Sequence, residues 1–146
     1  MHIVQVVAAR IPGADGIGTH ALQLGARLEK RGHRVTVMTR SSSWRLEKFE
    51  YEGLQIVGVP FLPLYPFHVA VHSVPMKWAL SKLDPKPDMV HFHTPLVPAV
   101  SGDWPVLTTV HTPMWVDTAW TEGSGPSIWA MKIMGKTTSF WAEKIL

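Results

Sequence analysis

The chain has 146 residues, about one ordinary domain, and its 46% hydrophobic and 17% charged residues indicate a globular protein. A net charge of +3 is too mild to indicate nucleic acid as a partner, and the lack of cysteine excludes disulfides and thiol chemistry. No apolar run reaches membrane-spanning length without proline or charge, and no basic leader precedes the first apolar run. We therefore expect a cytoplasmic protein.

The first elements are a strand, a glycine-rich loop and a helix. Ile3–Ala8 is an apolar, β-branched run typical of a strand buried on both faces, interrupted only by Gln5. The loop Ile11–His20 follows, and Gly32 ends the helix after it. The apolar positions of this helix are Ala21, Leu24, Gly25 and Leu28. Such a loop leaves backbone N–H groups free at the positive end of the helix dipole, so it predicts a site for phosphate or carboxylate; a tight turn without a ligand is the alternative.

Basic residues are concentrated between positions 27 and 48, where they outnumber acidic residues by seven to two. They are Arg27, Lys30, Arg31, Arg34, Arg40, Arg45 and Lys48. We interpret them as a solvated face, with a site for phosphates or acidic lipid as the alternative.

The next segments predict an α/β fold. Arg34–Thr39 is a second strand, and the order strand, helix, strand predicts a parallel sheet with right-handed crossovers. Phe49–Tyr51 and Leu54–Val59 predict an extended excursion or a hairpin. The proline-rich segment Phe61–Phe67 either joins the core or lines a groove.

Two further helices are predicted. One covers residues 68–83, has Val71, Val74 and Trp78 on one side, and is kinked or restarted by Pro75. The other runs from Ser127 to the C-terminus and either faces the core or lies on an anionic membrane.

Two later strands, Asp88–Pro95 and Val106–Pro113, end on the same triplet, His-Thr-Pro. The carboxyl ends of parallel strands converge on the ligand-binding edge of a sheet. We therefore expect His93, His111 and the glycine loop to lie along one rim.

Histidines at two places have spacings found in metal sites. His91 and His93 project from one strand face and could join His111, while His68 and His72 lie one helical turn apart. No carboxylate or cysteine clusters beside either set, so we expect no metal site.

The glycine spacing argues against a dinucleotide. Gly13, Gly16 and Gly18 form G-x-x-G-x-G, whereas the dinucleotide fingerprint is G-x-G-x-x-G. The second strand also ends on Thr39 and Arg40, with no acidic residue for a ribose. The acids that could act as bases are Asp15, Asp103, Asp117 and Glu122, and nothing in the sequence selects among them.

Four segments carry a family resemblance when they are taken together in this order. They are Gly16–His20, Lys30–Val37, Pro87–His93 and Pro105–His111. The combination resembles the N-terminal domain of family 4 glycosyltransferases with the GT-B architecture, over nearly the whole chain.

The resemblance implies a Rossmann-like three-layer α/β domain with a mainly parallel sheet, one half of the GT-B architecture. It implies a retaining enzyme that transfers a sugar from a nucleotide-sugar donor to a sugar or lipid-linked acceptor without a metal or other cofactor. His111 would contact the donor sugar near the reacting centre and is the predicted catalytic residue. The residues predicted to bind donor or acceptor are Asp15, Gly16, Ile17, Gly18, Thr19, His20, His93, Thr94 and Thr112.

The chain departs from the family pattern in three ways. Asp15 stands where the family usually has glycine, and only Leu96–Trp104 separates the two His-Thr-Pro strands, so a short helix or a turn must connect them. We also expect this domain, residues 1–146, to be truncated before its last strand and to lack the C-terminal nucleotide-binding domain, which would leave it inactive alone. A non-catalytic sugar- or phosphate-binding module of the same fold is the alternative.

Overall fold

The computed structural model describes residues 1–13, 15–41, 43–64, 67–98, 100–112 and 122–134. Six strands and three helices are found within these residues. They are β1 (His2–Val7), α1 (Gly16–Lys30), β2 (Arg34–Ser41), β3 (Glu47–Tyr51), β4 (Leu54–Pro60), α2 (His68–Ser81), β5 (Met89–Thr94), β6 (Val106–Val110) and α3 (Pro126–Met134). Residues 135–146 of the predicted C-terminal helix and the candidate base Asp117 lie outside the described residues.

The six strands form one sheet in the order β3-β4-β2-β1-β5-β6. Only β3 is antiparallel to its neighbour, so the predicted mainly parallel α/β sheet is confirmed. All six residues of β1 are buried, as predicted for a central strand. The strand order reverses between β1 and β5, and open α/β sheets bind their ligands outside the carboxyl ends of the strands at such a switch point.

Helices cover both faces of the sheet and complete the three predicted layers. Val4 and Val6 belong to a core cluster with Met76 and Leu80 of α2. A second cluster joins strand residues such as Val7 and Val35 to Ala21 and Leu22 of α1. Because side chains alternate along each strand, one face of the sheet packs on α1 and the other packs on α2.

Asp15 determines where α1 begins. Its carboxylate accepts a hydrogen bond from the backbone N–H of Gly18 at 2.6 Å, which makes Asp15 the N-cap. The helix ends at Lys30, and Gly32 follows with a φ of +85°, a backbone conformation that favours glycine. The predicted stop at Gly32 is therefore confirmed.

The predicted excursion after β2 is a hairpin between β3 and β4. Glu52 and Gly53 form its two-residue turn, both with positive φ, and Tyr51 pairs with Leu54. The connection between β5 and β6 contains neither helix nor strand in its described residues, as expected for a turn between them.

The apolar side predicted for α2 is not the face that it buries. Val74 and Trp78 are 71% and 54% exposed, and the helix runs from His68 to Ser81 without a restart at Pro75. The buried residues are His68, His72, Met76, Ala79 and Leu80. Met76 and Leu80 fill the core, while the rings of His68 and His72 pack edge-on against Phe61 at the end of β4.

Six of the seven basic residues between positions 27 and 48 are exposed, which favours the solvated interpretation. Arg40 is the exception. Its guanidinium lies 4.2 Å from the ring centre of Phe61 and donates a hydrogen bond to the carbonyl of Leu96 at 2.8 Å. Within the described part of the chain, none of the helices combines the length and apolar character needed to cross a bilayer.

Gly25 is placed where α1 lies close against the sheet. A Cβ at this position would lie 3.0 Å from both Gln5 Nε2 and Leu54 Cδ1. We expect Gly25→Val to lower the free energy of unfolding by about 1–3 kcal/mol, because the added atoms overpack this contact. Urea denaturation measures the change, and Ala26→Val is the control for placing a β-branched residue in the same helix. Equal losses in the two variants would contradict the packing argument.

The burial of His72 predicts a loss of stability in acid. Burial, followed by the positive charge of Arg40, lowers the pKa of His72 from 6.5 to about 4. The unfolded chain therefore takes up this proton at higher pH than the folded protein does, and stability falls as the pH drops from about 6.5 towards 4. We expect His72 to contribute about 1–2 kcal/mol of the loss between pH 7 and pH 5. Urea titrations at both pH values should show a smaller acid loss for His72→Met than for the unaltered chain; an equal loss would refute this role.

Candidate functional site

The candidate site lies at the carboxyl end of β5, beside the switch point of the sheet. Gln5 of β1 pairs in register with His91, and Val7 pairs with His93. Because side chains alternate along a strand, His91 and His93 share one face with Gln5, while Val90 and Phe92 belong to the core cluster under α2. The α1 face of the central strands therefore carries a polar row, formed by Gln5, His91 and His93, that ends at the rim.

A chain of hydrogen bonds connects the centre of the sheet to this rim. Gln5 is completely buried, and its side-chain oxygen accepts a hydrogen bond from His93 Nε2 at 3.0 Å. With its proton on Nε2, neutral His93 accepts at Nδ1 from His111 Nε2, also at 3.0 Å. The contact with His93 orients the ring of His111 and makes its Nδ1 a hydrogen-bond acceptor.

Four imidazole rings gather at this point. His20 in the first turns of α1 lies 4.9 Å from His111 and 5.7 Å from His93, measured between ring centres. His91 lies 4.1 Å from His93, and its Nε2 is 2.7 Å from the hydroxyl oxygen of Thr109. The structure thus brings His93, His111 and the end of the glycine loop together on one rim, where the order of the strands predicted them.

Burial keeps most of these rings uncharged at neutral pH. It lowers the pKa of His93 to about 3, and the neighbouring His91, His111 and His20 add to the shift. Burial is also the largest cause that lowers the pKa of His91 and of His111. The site therefore offers neutral donors and acceptors of hydrogen bonds, which suit hydroxyl groups.

The glycine loop presents fewer free backbone N–H groups than the sequence suggested. The Asp15 carboxylate occupies the N–H of Gly18, and the Asp15 carbonyl accepts from both the backbone N–H and the hydroxyl of Thr19. The N–H groups of Gly16 and Ile17 remain as the first-turn amides without an acceptor inside the helix. The start of α1 therefore combines two outward amides with one negative charge.

The remaining predicted site residues have different surroundings. Thr94 is 3% exposed, and its hydroxyl donates to the carbonyl of Thr109 at 3.3 Å, so it supports the pairing of β5 with β6. Thr112 is exposed beyond the end of β6, and the candidate bases Asp103 and Glu122 are exposed as well. The binding roles of these residues stay predictions.

The sequence alone did not assign a role to Gln5, whose side chain accepts the hydrogen bond from His93. The available signal was its position as the one polar residue in the apolar run Ile3–Ala8. A polar side chain at the centre of a doubly buried strand requires a partner, and such a residue indicates a buried polar contact.

Comparisons with known proteins agree with this fold. A model of Glycosyltransferase Family 4 matches residues 14–143. Phosphatidyl-myo-inositol mannosyltransferases are similar in sequence: the Mycobacterium leprae protein is 28% identical over 112 residues, and the Mycobacterium tuberculosis protein is 30% identical over the same length. These matches cover 70% of this chain but only 29% and 28% of the two relatives, so the chain spans less than a third of their length.

The fold is also found in a solved structure, sucrose-phosphate synthase from Thermosynechococcus elongatus. The two align with a TM-score of 0.62 at 15% identity, over 91% of this chain and 39% of that one. At this identity the likeness concerns the fold, and the family model carries the assignment. The chain therefore belongs to Glycosyltransferase Family 4, with the Rossmann-like fold of an N-terminal domain in the GT-B architecture.

Proposed function

We propose that this chain is the acceptor-side half of a retaining glycosyltransferase that uses a nucleotide-sugar donor. It binds the acceptor and contributes part of the donor cleft. The observation that carries the proposal is the hydrogen-bond chain from Gln5 through His93, which holds a neutral His111 at the rim of the sheet in a member of this family.

His111 is the proposed catalytic residue because one of its ring nitrogens is an acceptor at the rim where the sugar would bind. Its Nε2 donates to His93, so Nδ1 is left to accept a hydrogen bond from a sugar hydroxyl. A ring held by a buried partner loses little freedom when the sugar binds, and it can fix the sugar relative to the attacking acceptor. The proposed role is orientation and hydrogen bonding at the reacting centre.

The start of α1 suits a hydroxylated acceptor better than a phosphate. The Asp15 carboxylate occupies the Gly18 amide and would repel a phosphate at the same place. Hydroxyl groups can donate to this carboxylate and accept from the amides of Gly16 and Ile17. We therefore assign the acceptor to Asp15–His20, and the names of the mycobacterial relatives favour a lipid-linked polyol as its chemical class.

A second domain would supply the rest of the donor site. In this proposal it binds the nucleotide and stabilises the charge that develops on the leaving diphosphate, which the described residues of this chain leave largely unopposed. The reaction would take place in the cytoplasm without a metal cofactor. The lipid-linked acceptor would be reached by peripheral contact with a membrane.

If a second domain binds the nucleotide, as proposed, residues 1–146 alone should not transfer sugar. Radiolabelled nucleotide sugars are incubated with candidate acceptors and either this polypeptide or the longest polypeptide that its gene encodes. We expect transfer only by the longer protein, because only it would contain the nucleotide-binding half. Robust transfer by residues 1–146 would refute the proposed division, and no transfer by either protein would count against the proposed enzyme.

In the active protein, we expect His111→Ala to lower kcat by about 100-fold, the scale of loss that follows when a reacting group is misplaced by about 1 Å. Steady-state rates with saturating donor and acceptor measure the effect. Lys48→Ala on the exposed strand β3, at the opposite edge of the sheet, is the control and should keep the full rate. A rate unchanged by His111→Ala would remove His111 from the mechanism.

Asp15 has two roles that different substitutions separate. Asn is as good an N-cap as Asp, whereas Asp15→Ala should lower the free energy of unfolding by about 1 kcal/mol. Asp15→Asn should therefore keep the stability of the protein but raise KM for the acceptor several-fold, with little change in KM for the donor. Urea denaturation and steady-state kinetics measure the two effects. An unchanged acceptor KM in Asp15→Asn would show that the carboxylate serves only as a cap.

A further inference from the structure

The histidine cluster at the rim could hold a metal ion. His20, His93 and His111 come from α1, from β5 and from the residue after β6, and one ring nitrogen of each lies within 4.8 Å of the others. We propose that these three imidazoles bind a zinc ion, and that zinc occupies the rim in competition with the donor sugar. Imidazole nitrogen is a preferred zinc ligand, and three histidines leave one coordination position open.

One edge of the coordination geometry is nearly formed. His93 Nδ1 and His111 Nε2 are 3.0 Å apart. Two nitrogens bound tetrahedrally to zinc at 2.0–2.1 Å would be about 3.3 Å apart. The metal would replace the hydrogen bond between these rings, and His111 would move its proton from Nε2 to Nδ1. No proton needs to leave the site.

The third ligand can complete the site by a small movement. His20 is exposed, and its ring already lies within 4.9 Å of the ring centre of His111. Rotation of an exposed side chain costs little compared with movement of a buried one. Zinc would therefore draw His20 inward while His93 stays in place.

Gln5 supplies the support that metal-binding histidines usually have. Its side-chain oxygen accepts from His93 Nε2 at 3.0 Å, which leaves His93 Nδ1 as the coordinating nitrogen. A histidine ligand commonly donates its other ring N–H to an oxygen, which fixes the tautomer and the ring orientation. This contact is buried, so it holds the ligand before any metal arrives.

The other histidine sets are less suitable. The ring nitrogen Nε2 of His91 is 2.7 Å from the Thr109 hydroxyl, and His91 does not belong to the group whose nitrogens converge. His68 and His72 pack on Phe61 beside the positive charge of Arg40, which would repel a cation. The three-histidine set proposed here also differs from the set suggested by the sequence, because His20 takes the place of His91.

Calorimetry of zinc binding tests the proposal without any enzymatic activity. Tag-free protein is treated with EDTA, dialysed and titrated with ZnCl₂ at pH 7. We expect one equivalent of zinc to bind, and His20→Ala and His111→Ala each to weaken binding by at least about tenfold, since loss of a supporting residue alone costs 10–100-fold. His33→Ala and His72→Gln are the controls and should leave the affinity unchanged, with folding checked by circular dichroism.

Cobalt substitution provides a second measurement. Co²⁺ in the same site should give visible absorption bands of tetrahedral intensity that disappear in His20→Ala. The proposal is overturned if the unaltered protein binds no zinc, if both ligand variants bind as tightly as it does, or if His72→Gln is the variant that loses the metal.

Competition with the donor sugar rests on the proposed function, whereas zinc binding does not. In the active protein, zinc should raise the apparent KM for the donor, and EDTA should reverse the effect. Zinc binding without transfer activity would leave the metal site intact and count against the proposed enzyme. Transfer activity without zinc binding would support the proposed enzyme and overturn the metal site.

Discussion

The buried hydrogen bond between Gln5 and His93 is the contact on which the site depends. Loss of this bond would leave the Gln5 side-chain oxygen and His93 Nε2 unpaired inside the sheet, at a cost of about 1–3 kcal/mol. Parallel pairing and the alternation of side chains then place every second residue of β5 on the α1 face. His93, near the end of β5, is therefore held at the rim by a rigid strand. Its hydrogen bond to His111 restricts the ring of His111 in turn.

Small residues in α1 make this arrangement possible. Gly18 lies close to Ala9 and Gly25 lies close to Gln5, so the helix can approach the sheet directly above the polar row. The same approach brings the start of α1, with its cap Asp15 and His20 in its second turn, to the carboxyl end of the central strands. The same helix therefore packs on the sheet and carries site residues. A change that moves α1 away from the sheet would also disturb the hydrogen bond between Gln5 and His93.

Much of this architecture could be predicted because it rests on local patterns. The apolar run of β1, the glycine that ends α1 and the repeated His-Thr-Pro ends follow from neighbouring residues, and the convergence at one rim follows from the geometry of parallel sheets. The buried face of α2 could not be predicted, since His68 and His72 pack against Phe61, which lies outside the helix and does not enter its periodicity. Likewise, the inclusion of His20 in the histidine cluster depends on how α1 sits over β5, and spacing along the chain does not contain that information.

The outermost strand β6 has a consequence for the behaviour of this polypeptide in solution. In the part of the chain that the structure describes, β6 has a neighbouring strand on one side only, and Val106, Leu107 and Val110 are about half exposed. An open edge with apolar side chains is a template for pairing with another chain. Concentrated solutions of the isolated polypeptide should therefore be limited by self-association along this edge, and a charged residue placed there would improve colloidal stability without touching the imidazoles.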